Sequence, residues 1–587
     1  MSRMADAGMK QVLIINITRM GDLIQMGPLL ARLREEWPGV AIDLVVDRRF
    51  APVASMLHGL RDVISCDFHE LIDSTRAAVK DVVSLCQDVA GWARPLAERR
   101  YDRIINLTFN RPSAFLTSYV GAPDIRGGRS AWDGGIVIDN AWMAYFTDIH
   151  RFRRINRFNL VDVYALGGSG PGTFAPLQLT LTRESQEWAR RFLGSEQAAT
   201  AQWIAVQAGA SDAMKAWRPQ LFGATMARVS ERWQGGIVFI GAASEKETVA
   251  QAVHAYRGAG GRNPVLNATG QTSLEQLAGL LAECRLLLTN DTGPMHVAVA
   301  VKTPVIDLSV GHVDFQETGP YGPGHWVVQP ELDCAPCGFE QVCAHHSCKD
   351  RLPPEQVAEL MLCALGRGPF PTGVSTCRIY ESGIDEDQLG LFRLRAGREP
   401  AVTAWYAAFW RRYWYESFTG LQSQVPMVDG PAPDADVAIG RLVAMQPRLD
   451  SLCKRAEDIV REARRTPIAK GALVSLQQTQ MRERDSAIRM GMDSLAAAPL
   501  TTEFMRAIHN DNVQGVERLA RHHANAYRRW RAQLADIQRH LGSVSREASF
   551  LSRRQIPSAA FLHAPHASRS TSDECRGVSR CSRDIQK

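Results

Sequence analysis

From about residue 10 to residue 366 the chain switches repeatedly between short, nearly continuous apolar runs and longer stretches whose apolar residues recur at helical spacing. Val12–Thr18, Ala41–Val46, Val63–Phe68 and Tyr101–Leu107 are the first set of runs. Asp22–Trp37, with Leu23, Met26, Leu29, Leu30 and Leu33, and Ser74–Arg99 are the amphipathic stretches between them. Strands apolar on both faces that alternate with helices predict a parallel sheet covered on two sides. The scheme repeats at Trp203–Gln207, Gly236–Ile240, Val265–Ala268, Leu286–Thr289 and Pro304–Leu308, with helices near Gln220–Arg232, Glu245–Arg257 and Ser273–Ala282. The expectation is an α/β protein with two Rossmann-like domains, 10–172 and 173–366, facing a cleft. The pattern is irregular from Asp124 to Gly172, and GGSGPG at 167–172 predicts a hinge or interdomain connection.

Beyond Tyr380 the rhythm changes. Ala401–Phe418 places Trp405, Phe409 and Tyr413 on one stripe and Tyr406, Trp410, Trp414 and Phe418 on the next. Such a face predicts docking on the preceding domains or, with Arg411 and Arg412, a membrane interface. After a Pro-rich linker at 425–436, helical patterns cover about 437–465, 468–497 and 503–541, so an α-helical extension over 380–550 is expected. The basic, Ser- and His-rich segment 553–587 is expected to be a disordered tail, open to anionic lipid.

Composition narrows the class. The 587 residues are 45% hydrophobic and 22% charged, which describes a globular protein with ample core. No apolar run reaches the ~18–20 residues of a membrane helix. The start lacks a secretory pattern, so a cytoplasmic location is expected. A net charge of +6 is mild for this length and gives no reason to expect nucleic acid as a partner.

The chemistry gathers at strand ends. Asn290, Asp291, Thr292 and Gly293 form a polar turn between a buried strand and a short helix with Pro294 at its start, where unpaired backbone N–H groups can hold an anion. Asp291 and Thr292 could equally cap that helix, and His296 lies about one turn inside. The loop GASDAMKAW offers Gly209, Ser211 and Lys215 to a diphosphate at the same sheet edge. Glu245 could accept from a ribose or cap its helix. On the other half, Gly21 and Asp22 stand between the first strand and helix, where an acid is commonly a cap. Asp22 and Asp291 are expected to face each other across the cleft, since ligands bind at the carboxyl edges of such sheets. Arg151, Arg153, Arg154 and Arg157 make a solvated face or a site for an anionic acceptor.

TRMGD (18–22), GASxxxKxW (209–217), NDTGPMHVAVAVKTPV (290–305) and TGPYGPG (318–324), in this order, resemble glycosyltransferase family nine, the ADP-heptose heptosyltransferases, over roughly residues 10–366. The resemblance implies the GT-B fold and an inverting, metal-independent transfer of heptose from ADP-heptose to a saccharide of the lipopolysaccharide core or to a protein. It implies Asp22 as catalytic base, Lys215 and the backbone at Thr292 and Gly293 on the ADP diphosphate, Asp291 and His296 on the donor with Gly21 and Ser211 beside them, and Glu245 at the adenosine end. Arg151, Arg154 and Arg157 would meet an anionic acceptor, with peripheral contact at the inner membrane's cytoplasmic face. Two departures stand out: Gly311-His312-Val313-Asp314-Phe315 replaces the family's Gly-Pro-Thr-Asp-Pro run, and Arg218 replaces a proline.

Cys334, Cys337, Cys343 and Cys348 follow C-x2-C-x5-C-x4-C, a spacing that four thiolates could close on zinc or iron. The alternative is a reduced or disulfide-linked loop, and some protein heptosyltransferases that this chain resembles hold iron in such a loop. No cofactor is expected for catalysis. Oligomeric state is left open, and a non-catalytic sugar-nucleotide-binding scaffold is the rival from another class.

Overall fold

The computed structural model describes residues 9–67, 82–194, 202–338, 343–426, 430–465, 470–510 and 515–543. The expected tail, 553–587, and the start of the Ser74–Arg99 stretch lie outside them.

The first sheet comprises β1 (Gln11–Ile15), β2 (Ala41–Asp47), β3 (Asp62–Cys66), β4 (Arg103–Asn106), β5 (Asp124–Ser130) and β6 (Ile136–Ile138), in the order β3-β2-β1-β4-β5-β6. All pairs are parallel except β5–β6. Ile14 sits in register with Leu44 and Ile105, and all three are fully buried. β5 lay hidden in the irregular stretch because DIRGGRS carries almost no apolar residue. It is recruited by its backbone, and Gly127 (φ +103°) passes so close to the Asn106 carbonyl that a Cβ would stand 2.0 Å from the oxygen.

The second sheet holds β7 (Trp203–Gln207), β8 (Gly236–Phe239), β9 (Val265–Asn267), β10 (Leu286–Asn290), β11 (Val305–Leu308) and β12 (Trp326–Pro330), then β13 (Cys377–Ile384) and β14 (Gly390–Ala396). Its order is β14-β13-β12-β11-β10-β7-β8-β9. Both sheets therefore reverse direction beside their first strand, at β1/β4 and at β7/β10, which is where α/β sheets open a crevice. The expected start of the helical extension at 380 is corrected by β13 and β14, an antiparallel pair added to β12. Its outward residues are charged, so Arg393 and Arg395 mask the apolar alternation of a buried strand.

The hinge expected at 167–172 is corrected in part. Gly167 and Gly168 end the helix Leu160–Gly168 and are buried, and a Cβ on Gly168 would come 2.5 Å from Leu29. Close helix packing, not flexibility, accounts for these two glycines.

The aromatic helix, Ala401–Thr419, is docked rather than exposed. Trp410 and Trp414 are 2% and 3% exposed, Phe418 meets Trp142 at 5.1 Å, and Tyr145 lies 6.1 Å from Trp414. Arg411 is spent on Asp385 and Asp387, so the membrane-interface reading of this helix is set aside. Helices Ala435–Ala463, Lys470–Met492, Ala498–His509 and Val516–Ser543 pack around Trp530, which stacks on Phe504 at 4.2 Å. The bundle is fixed to the first domain by Arg506 on Asp148 (2.8 Å) and by Asn510. That amide bonds both the N–H and the carbonyl of Ile138 at 2.8 Å, as a neighbouring strand would. Among the described residues, no helix is long and apolar enough to cross a membrane.

Candidate active site

The first bank of the cleft grows from β1. Asn16, fully buried, accepts a 2.5 Å hydrogen bond from Thr18 Oγ1 and donates to the Asp22 carbonyl at 3.2 Å, folding the chain into a tight reversal. The helix Met20–Gln25 follows, and Asp22 Oδ2 accepts from the Arg19 N–H at 3.2 Å. Asp22 is thus a cap as well as a candidate base, and the two roles use different lone pairs. Its carboxyl keeps some surface open to the cleft while protein encloses most of it. Burial raises its pKa, opposed by the Arg19 N–H, Thr18, and the charges of Arg19 and Lys215.

The second bank combines the loops after β7 and β10. Asn290 joins them: its Oδ1 accepts from the Trp217 N–H at 2.8 Å, and its Nδ2 donates to the carbonyls of Gly209 (3.0 Å) and Ala208 (3.3 Å). Both ends of the Lys215 loop are thereby tied to the turn that opens helix Gly293–Ala300. Lys215 is half-buried there and Ser211 is exposed. Thr292 is the N-cap residue, with its hydroxyl 3.2 Å from that of Thr289. Glu245 lies against Gly209, accepts from Gln207 Nε2 at 3.1 Å and caps its own turn through the Ala242 N–H at 2.7 Å. The capping reading of Glu245 is thus met by the Ala242 N–H.

The banks meet at two glycines. A Cβ on Gly21 would lie 2.7 Å from His296 Cδ2, and one on Gly293 would lie 2.2 Å from Met20 Cε. The helix behind Asp22 and the helix behind Asp291 thus abut, and Lys215 is near enough to both aspartates for its charge to oppose the burial that raises their pKa values. Asp291 is nonetheless buried behind the turn, its Oδ2 held by Thr318 Oγ1 at 2.7 Å, and burial raises its pKa. His296 is 5% exposed, its Nδ1 has no hydrogen-bond partner among the described residues, and burial drives its pKa down to about 4, so the imidazole is neutral.

The expected arginine site changes most. Arg151 and Arg154 are exposed, whereas Arg157 is held in an ion pair with Glu399. Arg153, not singled out as an acceptor ligand, is 7% exposed and spans the two halves. It donates two hydrogen bonds to the Glu317 carboxylate, at 2.7 and 3.0 Å, and reaches the carbonyls of His312 (2.8 Å) and Cys337 (3.2 Å). The sequence shows four arginines alike, and only the fold distinguishes them. Asn290 had a signal, as the first letter of the NDTG turn.

The cysteine loop is strapped to this junction through the Cys337 N–H on the Gly311 carbonyl at 2.9 Å. Cys343 Sγ accepts from the His346 N–H at 3.3 Å, and burial, then the neighbouring Cys334, Cys348 and Cys343, raise the Cys337 thiol. Among the described residues, no group of three or more His, Cys, Asp or Glu is arranged to hold a metal. The four expected cysteine ligands thus do not stand in a metal-holding arrangement in this structure.

Two Rossmann-like domains whose strand ends present a carboxylate on one side and a lysine with helix N–H groups on the other make a GT-B-like fold. Residues 89–347 match the family model described as Glycosyltransferase family 9 (heptosyltransferase), and over that stretch the chain is similar to that family. Lipooligosaccharide heptosyltransferase 2 of Campylobacter jejuni is 34% identical over 98 residues, 16% of this chain and 30% of that protein, so the match spans under a third of that relative. Lipopolysaccharide heptosyltransferase 2 of Escherichia coli is 24% identical over 310 residues, 51% of this chain and 82% of that one. The solved ADP-heptose lps heptosyltransferase II of E. coli is 18% identical, covering 60% of this chain and 98% of that one, with a TM-score of 0.44.

Proposed function

We propose that this protein transfers a heptose from ADP-heptose to a saccharide acceptor of the lipopolysaccharide-core type, with inversion and without a metal in the chemical step, at the cytoplasmic face of the inner membrane. The observation that carries this is the abutment of Gly21 on His296 and Met20 on Gly293, which sets the Asp22 loop opposite Lys215. The relatives' names point the same way.

In this reading Asp22 takes the proton from the acceptor hydroxyl as its oxygen attacks the anomeric carbon. The bond from that carbon to the phosphate oxygen breaks on the opposite face, and ADP leaves with the electron pair. Negative charge grows on the departing diphosphate, where Lys215 and the N–H groups at Thr292 and Gly293 are already fixed, so they stabilise the transition state more than the ground state. Glu245, beside Gly209, receives the adenosine end. Asp291 and neutral His296 shape the turn, and His296 offers no competing positive charge.

Purified protein incubated with ADP-heptose and a core saccharide should release ADP with formation of a glycosylated product, and Asp22→Asn should abolish turnover while retaining donor binding. If donor binds but wild type and Asp22→Asn are equally inert with every acceptor, the protein is a sugar-nucleotide scaffold. A second reading, protein O-heptosyltransferase, is favoured by one observation: the helical bundle docks on the acceptor half through Asn510 and Arg506. Heptose appearing on a polypeptide, and not on saccharide, would select it.

A further inference from the structure

The aromatic helix is docked and so is not available to a membrane, and the fold supplies another aromatic surface. Among the described residues, three aromatic side chains are exposed as large hydrophobics: Phe115 (51%), Tyr119 (51%) and Trp132 (62%). They lie together. Phe115 and Tyr119 are one turn apart on the helix Arg111–Val120, whose opposite side, Ala114, Leu116 and Val120, is buried in the first domain. Trp132 sits in the turn between β5 and β6. That turn is drawn onto the helix by the Ser130 N–H on Ser118 Oγ at 2.9 Å and by the approach of Gly134 to the Phe115 ring, 3.7 Å from a Cβ placed there. Arg111 begins the same stripe, one turn before Phe115, and is exposed.

We infer that this patch is a membrane-interface anchor, and its occupant is the surface of a phospholipid bilayer. Tryptophan, tyrosine and phenylalanine are the side chains that settle at the headgroup level, where an apolar ring and a polar edge are both satisfied. The three rings protrude from a helix and a turn instead of lining a hollow, which suits a flat, yielding surface better than a sugar ring. The patch also belongs to the half that carries Asp22, with Trp132 following the carboxyl end of β5 and Phe115 just beyond that of β4, beside the bank where the acceptor must enter. The inference rests on the transferase reading only for that last placement. Binding to lipid is measured without donor or acceptor, so either can fail alone.

The test is co-sedimentation of the full chain with vesicles of phosphatidylethanolamine and phosphatidylglycerol, comparing wild type with the triple variant Phe115→Ser, Tyr119→Ser, Trp132→Ser. The expected result is an affinity loss of about tenfold or more in the triple variant, little change in wild-type binding on raising salt, and unchanged turnover of a short soluble acceptor. The single variant Trp132→Phe guards against misfolding. Brominated lipid should quench wild-type tryptophan fluorescence, and the quenching should largely vanish in this variant. No vesicle binding by wild type overturns the inference. So does salt-sensitive binding that the triple variant keeps, which would assign lipid contact to basic segments, and so does loss of a wild-type dimer in the triple variant, which would make the face a self-interface.

Discussion

The two halves of the cleft are built on the same sheet order and differ in what holds their strand ends. On the first bank the loop after β1 is organised from within: Asn16 and Thr18 fold it, and Asp22 caps its own helix. On the second bank the loops after β7 and β10 are organised by each other, through one amide, Asn290. A self-contained loop can expose a carboxylate to the cleft, because nothing else depends on that carboxylate's outer face. A cross-tied pair of loops can hold a cation and a helix N-terminus at fixed separation. The same scaffold therefore yields a base on one side and an anion cradle on the other, and substitutions on each bank should fail differently.

The largest effect is expected on the first bank. Asp22→Asn keeps the shape and removes the proton acceptor, so kcat should fall by ~10²- to 10⁴-fold with ADP-sugar affinity within about twofold of wild type. Equal loss of affinity would place Asp22 in donor binding instead. Lys215→Met, on the second bank, should cost ~10²- to 10³-fold in kcat/KM and weaken ADP binding as well, measurable by titration calorimetry, because the lysine meets charge present before and during the reaction. The pH profile separates the banks further. Burial raises the pKa of Asp22, so the acid limb of kcat/KM should lie above where an exposed aspartate would put it, with activity gained as pH rises and the base ionises. His296, down at about 4, should add no limb near neutrality. A limb that disappears in His296→Gln would reverse that assignment.

Closure is tested by the glycine where the banks touch. Gly21→Ala would drive a methyl into His296, for which overpacking predicts ~1–3 kcal/mol, seen as an activity loss of roughly tenfold. Gly91→Ala meets nothing within 4 Å, lies in the helix Val82–Glu98 and should be neutral or slightly stabilising. Equal behaviour of the two variants would mean the banks do not need to meet.

Much of this was legible in the residues, and the gaps have physical causes. Trp203–Gln207 matches its predicted bounds because a strand buried on both faces shows a nearly continuous apolar run, whereas β5 carries a single large apolar residue and β14 is interrupted by Arg393 and Arg395. Asp22, Lys215 and the DTG turn were readable because each sits where a strand ends. Arg153 was not, since four neighbouring arginines look alike until Glu317 and two carbonyls arrive from far along the chain. The aromatic helix could be read as core or as membrane anchor because burial against Trp142 and Tyr145 is a tertiary fact. Phe115, Tyr119 and Trp132 drew no notice for the converse reason: three separated aromatics form a patch only after β5 is in the sheet.

The smallest effect concerns the contact between the halves away from the cleft mouth. Asp162, on the first domain, accepts from the Tyr321 hydroxyl at 2.7 Å and the Gly390 N–H at 2.9 Å on the second, and burial raises its pKa to about 6. The folded state therefore binds this proton more tightly than the unfolded chain. The stabilisation is fully present below the unfolded value near 4 and is lost as pH rises through 6. Between roughly pH 5 and pH 7 this one group should withdraw about 1 kcal/mol. Asp162→Asn cannot titrate, so its melting temperature should decline less than wild type's over that interval. Parallel curves would show that Asp162 stays ionised across it, with the two donors from the second domain outweighing burial, and would make the junction between the halves indifferent to pH at this point.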